Sequence, residues 1–263
     1  MNIDINGLPV YYEQKGERGE NVLLLHGWGC STAHFAPIIN DLSADYRVTA
    51  IDFPAHGRTP AFPGPADVHD HALLTRDLIK ALGIAPVNII AHSFGARVAI
   101  CLAAEHGETV SRLVLTGAAG IKKPPTKEAE KRSAEYRKKR ELAEKLGRLP
   151  GLRGLMDKER ERLVQKYGSA DYKALPPEMR KTFSKIVSED LSPLLPQIQA
   201  STLLVFGRDD QETPLWMGRQ MESAIPDAGL VIFENRGHFA YLEEWQRFDA
   251  VVRAFIPHET ENN

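Results

Sequence analysis

Ser93 lies in Val87-Asn-Ile-Ile-Ala-His-Ser-Phe-Gly-Ala-Arg-Val, an apolar strand that runs through Ala-x-Ser-x-Gly into a helix. A serine hydroxyl becomes a nucleophile when it is held clear of its neighbours and given a base, and a sharp strand-to-helix turn does the holding. Ala91 and Gly95, two positions before and after, are small enough for such a turn. A helix N-cap would use the same serine, and the turn alone does not separate the two readings. A candidate base follows in Arg236-Gly-His-Phe, where His238 sits on a loop between a strand and the last helix; His258, in the polar tail, is the alternative. Three acids, Asp209, Asp210 and Glu212, follow the strand Thr202-Leu-Leu-Val-Phe-Gly, with Asp210 read as exposed on that loop before the breaker Pro214. Serine, histidine and a carboxylate together perform acyl transfer: the imidazole takes the hydroxyl proton while the acid fixes its tautomer and stabilises the imidazolium.

These residues need a scaffold, and the spacing of apolar runs supplies one. Two short strands near 3–5 and 8–14 flank the turn Asn6-Gly7 and form an antiparallel edge. Further strands fall near 21–26, 47–52, 87–92, 112–117, 202–206 and 230–234, mostly as continuous Val/Ile/Leu runs suited to a parallel sheet covered on both faces. Helices near 32–43, 68–82, 94–106, 214–224 and 244–256 alternate with them, which forces an α/β layered sandwich with right-handed crossovers. Ligands in such sheets gather at the carboxyl ends of the strands. Ser93, Asp210, His238 and the His26-Gly27 loop all fall at strand ends.

The order Ser93, Asp210, His238 resembles the triad of the α/β-hydrolase family and differs from the chymotrypsin-like and subtilisin-like orders. Asn21-Val-Leu-Leu-Leu-His-Gly-Trp-Gly resembles that family's His-Gly loop after the third strand. Arg47-Val-Thr-Ala-Ile-Asp-Phe-Pro-Ala-His-Gly-Arg-Thr resembles its Asp-x-Pro-Gly-x-Gly segment, with Ala55 in place of the first glycine. The resemblance covers nearly the whole chain. It implies a mostly parallel eight-stranded sheet flanked by helices (1–119 and 196–263) and an inserted helical cap over the active site (120–195). It also selects Asp210 as the acid, the third residue after Gly207, with Asp209 next in line. An oxyanion hole would draw on the amide of Phe94, at a helix N-terminus directly after Ser93, and, by the resemblance, on the amide of Trp28. His92 and His26 are read as loop organisers, and Asp52 and Arg58 as anchors of the turn after the fourth strand. A serine at position 93 disfavours the dehalogenases and epoxide hydrolases of this family, which use a carboxylate there. The segments starting at Gly117, Asp190 and Thr213 resemble small bacterial hydrolases of broad description. The activity implied is hydrolysis of carboxylic esters through an acyl-enzyme, with C–C bond hydrolysis, lactone hydrolysis or a low-turnover ligand receptor as alternatives on the same triad. Trp28, His34, Phe94, Tyr136, Trp216 and Phe239 are candidate substrate-lining residues.

Composition bounds the rest. The chain has 263 residues, enough for one large α/β domain with an insertion. From 121 to 190 there are 20 Lys and Arg against 12 Asp and Glu, a net of +8, which leaves 13 against 23 and a net of −10 elsewhere. The basic stretch, strongly helical in composition, reads as a solvated helical face; steering of anionic substrates or partners is the functional alternative. No aromatic-interleaved basic pattern points to nucleic acid. The start lacks a basic leader and no apolar run could span a bilayer, so the expectation is a cytoplasmic protein with no membrane partner. Cys30 and Cys101 match no metal pattern and are read as unbridged thiols. His69-Asp-His71 is read as a solvated helix start, so no metal or cofactor is expected. The partner is a small-molecule ester, oligomeric state stays open, and the polar composition from Pro257 onward suggests a disordered tail.

Overall fold

Strands that are apolar on both faces must be covered on both faces, and the sheet is built accordingly. The computed structural model describes residues 1–124, 126–168 and 170–258; the end of the polar tail, 259–263, lies outside the described residues. Its strands are β1 (Asn2–Ile5), β2 (Leu8–Lys15), β3 (Asn21–Leu25), β4 (Arg47–Ile51), β5 (Val87–His92), β6 (Val110–Thr116), β7 (Ser201–Gly207) and β8 (Ala228–Phe233). They form one eight-stranded sheet in the order β1-β2-β4-β3-β5-β6-β7-β8. The pairs β1/β2 and β2/β4 are antiparallel and the others parallel. At the β1–β2 turn Asn6 and Gly7 both have positive φ, 53° and 86°, the left-handed pair that suits the twist of a two-residue hairpin.

The helices are α1 (Ala36–Leu42), α2 (Val68–Leu82), α3 (Phe94–Glu105), α4 (Lys127–Leu146), α5 (Arg153–Tyr167), α6 (Ala170–Ala174), α7 (Met179–Ser188), α8 (Leu215–Ala224), α9 (Ala240–Glu243) and α10 (Trp245–Phe255). Alternate residues of the parallel strands, such as Val22 and Leu24 of β3 and Leu203 and Val205 of β7, enter one core with Ile38 and Leu42 of α1 and Phe248 and Val252 of α10. Among the described residues, no helix is long and apolar enough to cross a membrane.

The chain forms two compact units, Met1–Lys122 with Ser188–Asn263, and Lys123–Val187. Residues 188–195 therefore sit in the first unit. Leu191 and Leu195 are buried there, and the Leu191 amide donates to the Gly120 carbonyl at 2.8 Å. In the second unit α4 and α5 run antiparallel. Tyr136 and Arg132 of α4 meet the end of α5, through the Tyr167 ring (5.6 Å) and the Lys166 carbonyl (2.9 Å). At the other end, a methyl group on Gly147 would reach Met156.

The strand order reverses at β3 and β5: from β3 the chain steps outward to β4, then crosses back over β3 to reach β5. Such a reversal opens a crevice at the carboxyl ends of the two strands. Here it is occupied by the start of α3, packed hard against the end of β3. A methyl group on Gly95 would lie 2.2 Å from the Leu25 carbonyl oxygen and 2.9 Å from that of His26. Ser93, between β5 and α3, has φ 52° and ψ −105°, held by its own amide donating to the Thr116 carbonyl (3.2 Å) and its carbonyl accepting from the Ala119 amide (3.3 Å).

Buried imidazoles tie the loops above the sheet. His26 donates from Nδ1 to the Gly27 carbonyl (2.7 Å) and accepts at Nε2 from the Phe53 amide (3.0 Å). His92 donates from Nε2 to the His238 carbonyl (3.0 Å). His71, read from sequence as solvated, is instead buried among Phe53, Phe62 and Phe94 and donates to the Asp67 carbonyl. It falls on the inward face of α2, and an isolated His-x-His pattern does not reveal which way that face turns. Burial pushes the pKa of His26 down to about 3, of His71 to about 4 and of His92 to about 3.

Two expectations follow. Gly95→Ala should force α3 away from the end of β3 and lower the unfolding free energy by roughly 1–3 kcal/mol or more, read from the urea midpoint. The three imidazoles stay neutral in the folded chain while the unfolded chain protonates them below about pH 6.5. Stability should therefore be complete above that pH and fall as pH drops toward 4, by about 1.4 kcal/mol per pH unit for each group. Between about pH 7.5 and 5.5 each of these three groups should contribute about 1.4 kcal/mol of lost stability, so His71→Gln should reduce the difference between urea unfolding at the two pH values by about that amount.

Candidate active site

The end of β7 lies directly against the loop after β8. A methyl group on Gly207 would sit 2.2 Å from the Gly237 carbonyl oxygen, and the Arg208 and Asp209 amides donate to the carbonyls of Phe233 and Arg236 at 3.0 and 2.9 Å. This contact brings the loops of Asp210 and His238 together. His238 Nδ1 donates to Asp210 Oδ2 at 2.8 Å, and its Nε2 lies 3.0 Å from Ser93 Oγ, placed to accept the hydroxyl proton. Three side chains 28 and 145 residues apart in sequence thus form one hydrogen-bonded chain.

Asp210 is 2% exposed, which corrects its reading as an exposed acid. Its carboxylate is buried because it is fully partnered. Oδ1 accepts from the amides of Glu212 (2.8 Å) and Thr213 (2.9 Å), and Oδ2 accepts from Thr213 Oγ1 (2.7 Å) as well as from His238. Burial raises the pKa of this carboxyl, but the His238 and Thr213 hydrogen bonds outweigh it and hold the group below the usual carboxylate range. Asp209 and Glu212, the competing acids, are absent from the chain of bonds to His238: Asp209 uses its amide on Arg236, and Glu212 uses its amide on Asp210. His238 itself keeps 17% of its side chain exposed.

Around this chain, Phe94 is the first residue of α3, where amides have no intrahelical acceptor and the helix dipole favours negative charge. The Trp28 ring stands edge-on to Phe94 (5.5 Å) and His56 (4.8 Å), next to Gly27, whose added methyl would meet His92 and Ser93. Phe239 is exposed, with its ring 5.6 Å from His238 and 4.8 Å from His92. His34 is exposed on a short turn, accepting from the Ser31 amide. Trp216 is exposed on α8. Tyr136 belongs to the second unit, against Tyr167. Asp52 is buried and holds the turn after β4, its two oxygens accepting from the amides of Thr32 (2.7 Å) and Arg58 (2.9 Å). Ala55, where the family pattern has glycine, takes φ 65°, the left-handed conformation glycine adopts most readily. Cys30 and Cys101 are buried free thiols.

Three residues of the site had no role in the sequence reading. Thr213 bonds Asp210 and lies 3.2 Å from His238 Nδ1; the pattern Asp-x-x-Thr-Pro before a helix is the one signal that could have flagged it. His56 lines Trp28 and Phe94, and Tyr241 packs on His92 (4.9 Å), both through aromatic contacts that no local pattern encodes. The assembled groups can deprotonate a hydroxyl, buffer the resulting imidazolium and offer helix-terminal amides to an oxyanion.

A family model described as the alpha/beta hydrolase family matches residues 22–254. The chain is 27% identical to a 2-hydroxy-6-oxononadienedioate/2-hydroxy-6-oxononatrienedioate hydrolase of Pseudomonas putida, over 95% of this chain and 92% of that one. It is 29% identical to a pimeloyl-(acyl-carrier protein) methyl ester esterase of Neisseria meningitidis serogroup B, over 90% and 93% of the two chains. Among solved structures, the enol-lactonase of Burkholderia xenovorans superposes with a TM-score of 0.72 at 25% identity, covering 97% of this chain and 99% of the other. With the sheet order, the strand-end placement of Ser93 and a family match across most of its length, the chain belongs to the alpha/beta hydrolase family.

Proposed function

We propose that this chain is a serine hydrolase that cleaves carboxylic esters through an acyl-enzyme. The observation that carries the reading is the unbroken chain from Ser93 Oγ through His238 to the buried Asp210 carboxylate. In the first half-reaction His238 Nε2 takes the Ser93 proton as Oγ bonds to the substrate carbonyl carbon. The carbonyl oxygen gathers negative charge against the amides of Phe94 and Trp28. The proton then passes from His238 to the departing alkoxide as the C–O bond breaks. In the second half-reaction water enters, gives its proton to His238 and displaces Ser93, which recovers that proton as the acid leaves. Asp210 keeps one tautomer throughout and offsets the imidazolium charge. Because both oxyanion donors are backbone amides, side-chain substitution at Trp28 reshapes the pocket without removing a donor.

A second reading, hydrolysis of a C–C bond beside a carbonyl, uses the same groups and is favoured by the name of the Pseudomonas putida relative, a 2-hydroxy-6-oxononadienedioate/2-hydroxy-6-oxononatrienedioate hydrolase. The Neisseria relative's name supports the ester reading, and the Burkholderia neighbour's name supports a lactone.

Steady-state hydrolysis of p-nitrophenyl esters from acetate to long acyl chains tests the proposal. Wild type should turn over many times and Ser93→Ala should lose roughly 10⁴-fold or more in kcat. An absence of turnover on every ester would sink the ester reading and put a vinylogous diketone next, while occupancy without turnover would mark a receptor. Thr213→Val removes the hydroxyl donor from Asp210 and should lower kcat by roughly tenfold or more with KM little changed, since a hydrogen bond to a buried charge is the interaction lost.

A further inference from the structure

The second unit carries a surface that the hydrolytic chemistry does not use. Between α4 and α5 the chain reads Lys145-Leu-Gly-Arg-Leu-Pro-Gly-Leu-Arg-Gly-Leu-Met156, with three cations, five large apolar residues and no acid. Leucine recurs there at 146, 149, 152 and 155. The segment is a built turn: the Gly147 amide donates to the Ala143 carbonyl (2.9 Å), Leu149 to Leu146 (3.1 Å), Leu152 to Leu149 (3.2 Å) and Met156 to Leu152 (3.0 Å), with Gly151 at φ 80°.

Two features set this end of the helical pair apart. Leu142, Leu149 and Leu155 are 58%, 50% and 59% exposed, three of the eight large apolar side chains left most open among the described residues. Apolar exposure concentrated in one place marks a contact surface, whereas scattered exposure does not. The charges differ as well. On the body of the pair four cations are matched within a helical turn, Lys139 to Glu135, Arg140 to Glu144, Arg160 to Asp157 and Arg162 to Glu159, whereas the stretch 145–156 holds no acid that could match one. Among the described residues no carboxylate forms an ion pair with Lys145, Arg148 or Arg153.

Unmatched cations interleaved with exposed leucines complement a surface that is anionic at its face and apolar just beneath. We propose that the turn between α4 and α5 docks on an anionic lipid bilayer, its leucines entering the headgroup boundary while Lys145, Arg148 and Arg153 meet lipid phosphates. Long basic side chains suit this position because their stems lie along apolar surface and their heads reach outward. The contact is peripheral, and it replaces the sequence-based expectation of no membrane partner, which rested on the lack of a spanning segment. An acidic protein would meet the cations but has no matching use for three exposed leucines.

Flotation of the full chain with phosphatidylcholine vesicles, and with vesicles containing about one third phosphatidylglycerol, reads the contact. The chain should float with the anionic vesicles and not with the neutral ones, and about 0.5 M salt should weaken binding by screening the cations. Leu149→Ser with Leu155→Ser, and separately Arg148→Gln with Arg153→Gln, should each weaken it roughly tenfold or more, whereas Lys138→Gln on the body of α4 should leave it unchanged. Thermal melts show that each variant remains folded, and the salt titration on the unaltered chain stands without them. Failure to float with anionic vesicles, equal flotation with both kinds, or insensitivity to salt overturns the proposal. Loss in the arginine variant with full binding in the leucine variant also overturns it, and assigns the turn to an acidic macromolecule.

Discussion

Ser93 occupies a backbone conformation that costs a non-glycine residue on the order of 1–3 kcal/mol and persists only where its surroundings enforce it. The enforcing contact is the approach of α3 to the end of β3, close enough that Gly95 admits no methyl group against the Leu25 carbonyl. That approach depends on β3 and β5 being neighbours, which depends in turn on the reversal of strand order between them. Strained turn, helix terminus and His26-Gly27 loop are consequences of one topological decision. The hydroxyl is lifted toward His238 because the turn has no other allowed path.

The nine histidines divide by environment rather than by sequence context. His26, His71 and His92 are sealed in apolar surroundings and stay neutral, which makes them hydrogen-bonding struts. His92 is a positioning residue in this sense, since its Nε2 holds the backbone carbonyl of His238. His238 alone combines a buried carboxylate on one nitrogen with a hydroxyl on the other. Keeping the neighbouring imidazoles neutral also removes positive charges that would oppose an imidazolium at His238. The same burial that keeps His92 neutral also fixes the loop that carries His238.

Charge is partitioned along the chain as strongly as hydrophobicity is. The stretch 121–190 carries a net +8 and the remainder −10, and within the second unit Lys139, Arg140, Arg160 and Arg162 are answered by carboxylates a turn away. Such pairs contribute little to stability at an exposed surface. The turn between the two helices, 145–156, carries no acid at all, and leucines are interleaved there with three cations.

The sequence by itself determined the parallel strands, their alternation with helices, and Ser93 and His238 as strand-end residues, because apolar runs, glycine-bearing turns and chain order are local signals. It narrowed the acid to three neighbours and, through the family's spacing, to Asp210. It misread the burial of Asp210 and of His71, and it passed over Thr213. Each of those errors concerns what lies across from a residue. A carboxylate on a polar loop looks solvated until β7 and the loop after β8 are brought together at Gly207, and only then does it become buried against His238 and Thr213. A histidine on a helix looks equally solvated until Phe53, Phe62 and Phe94 close around it. Local patterns carry residue type and period, whereas burial and pKa depend on distant chain segments arriving at one point, and that was decided by the tertiary structure alone.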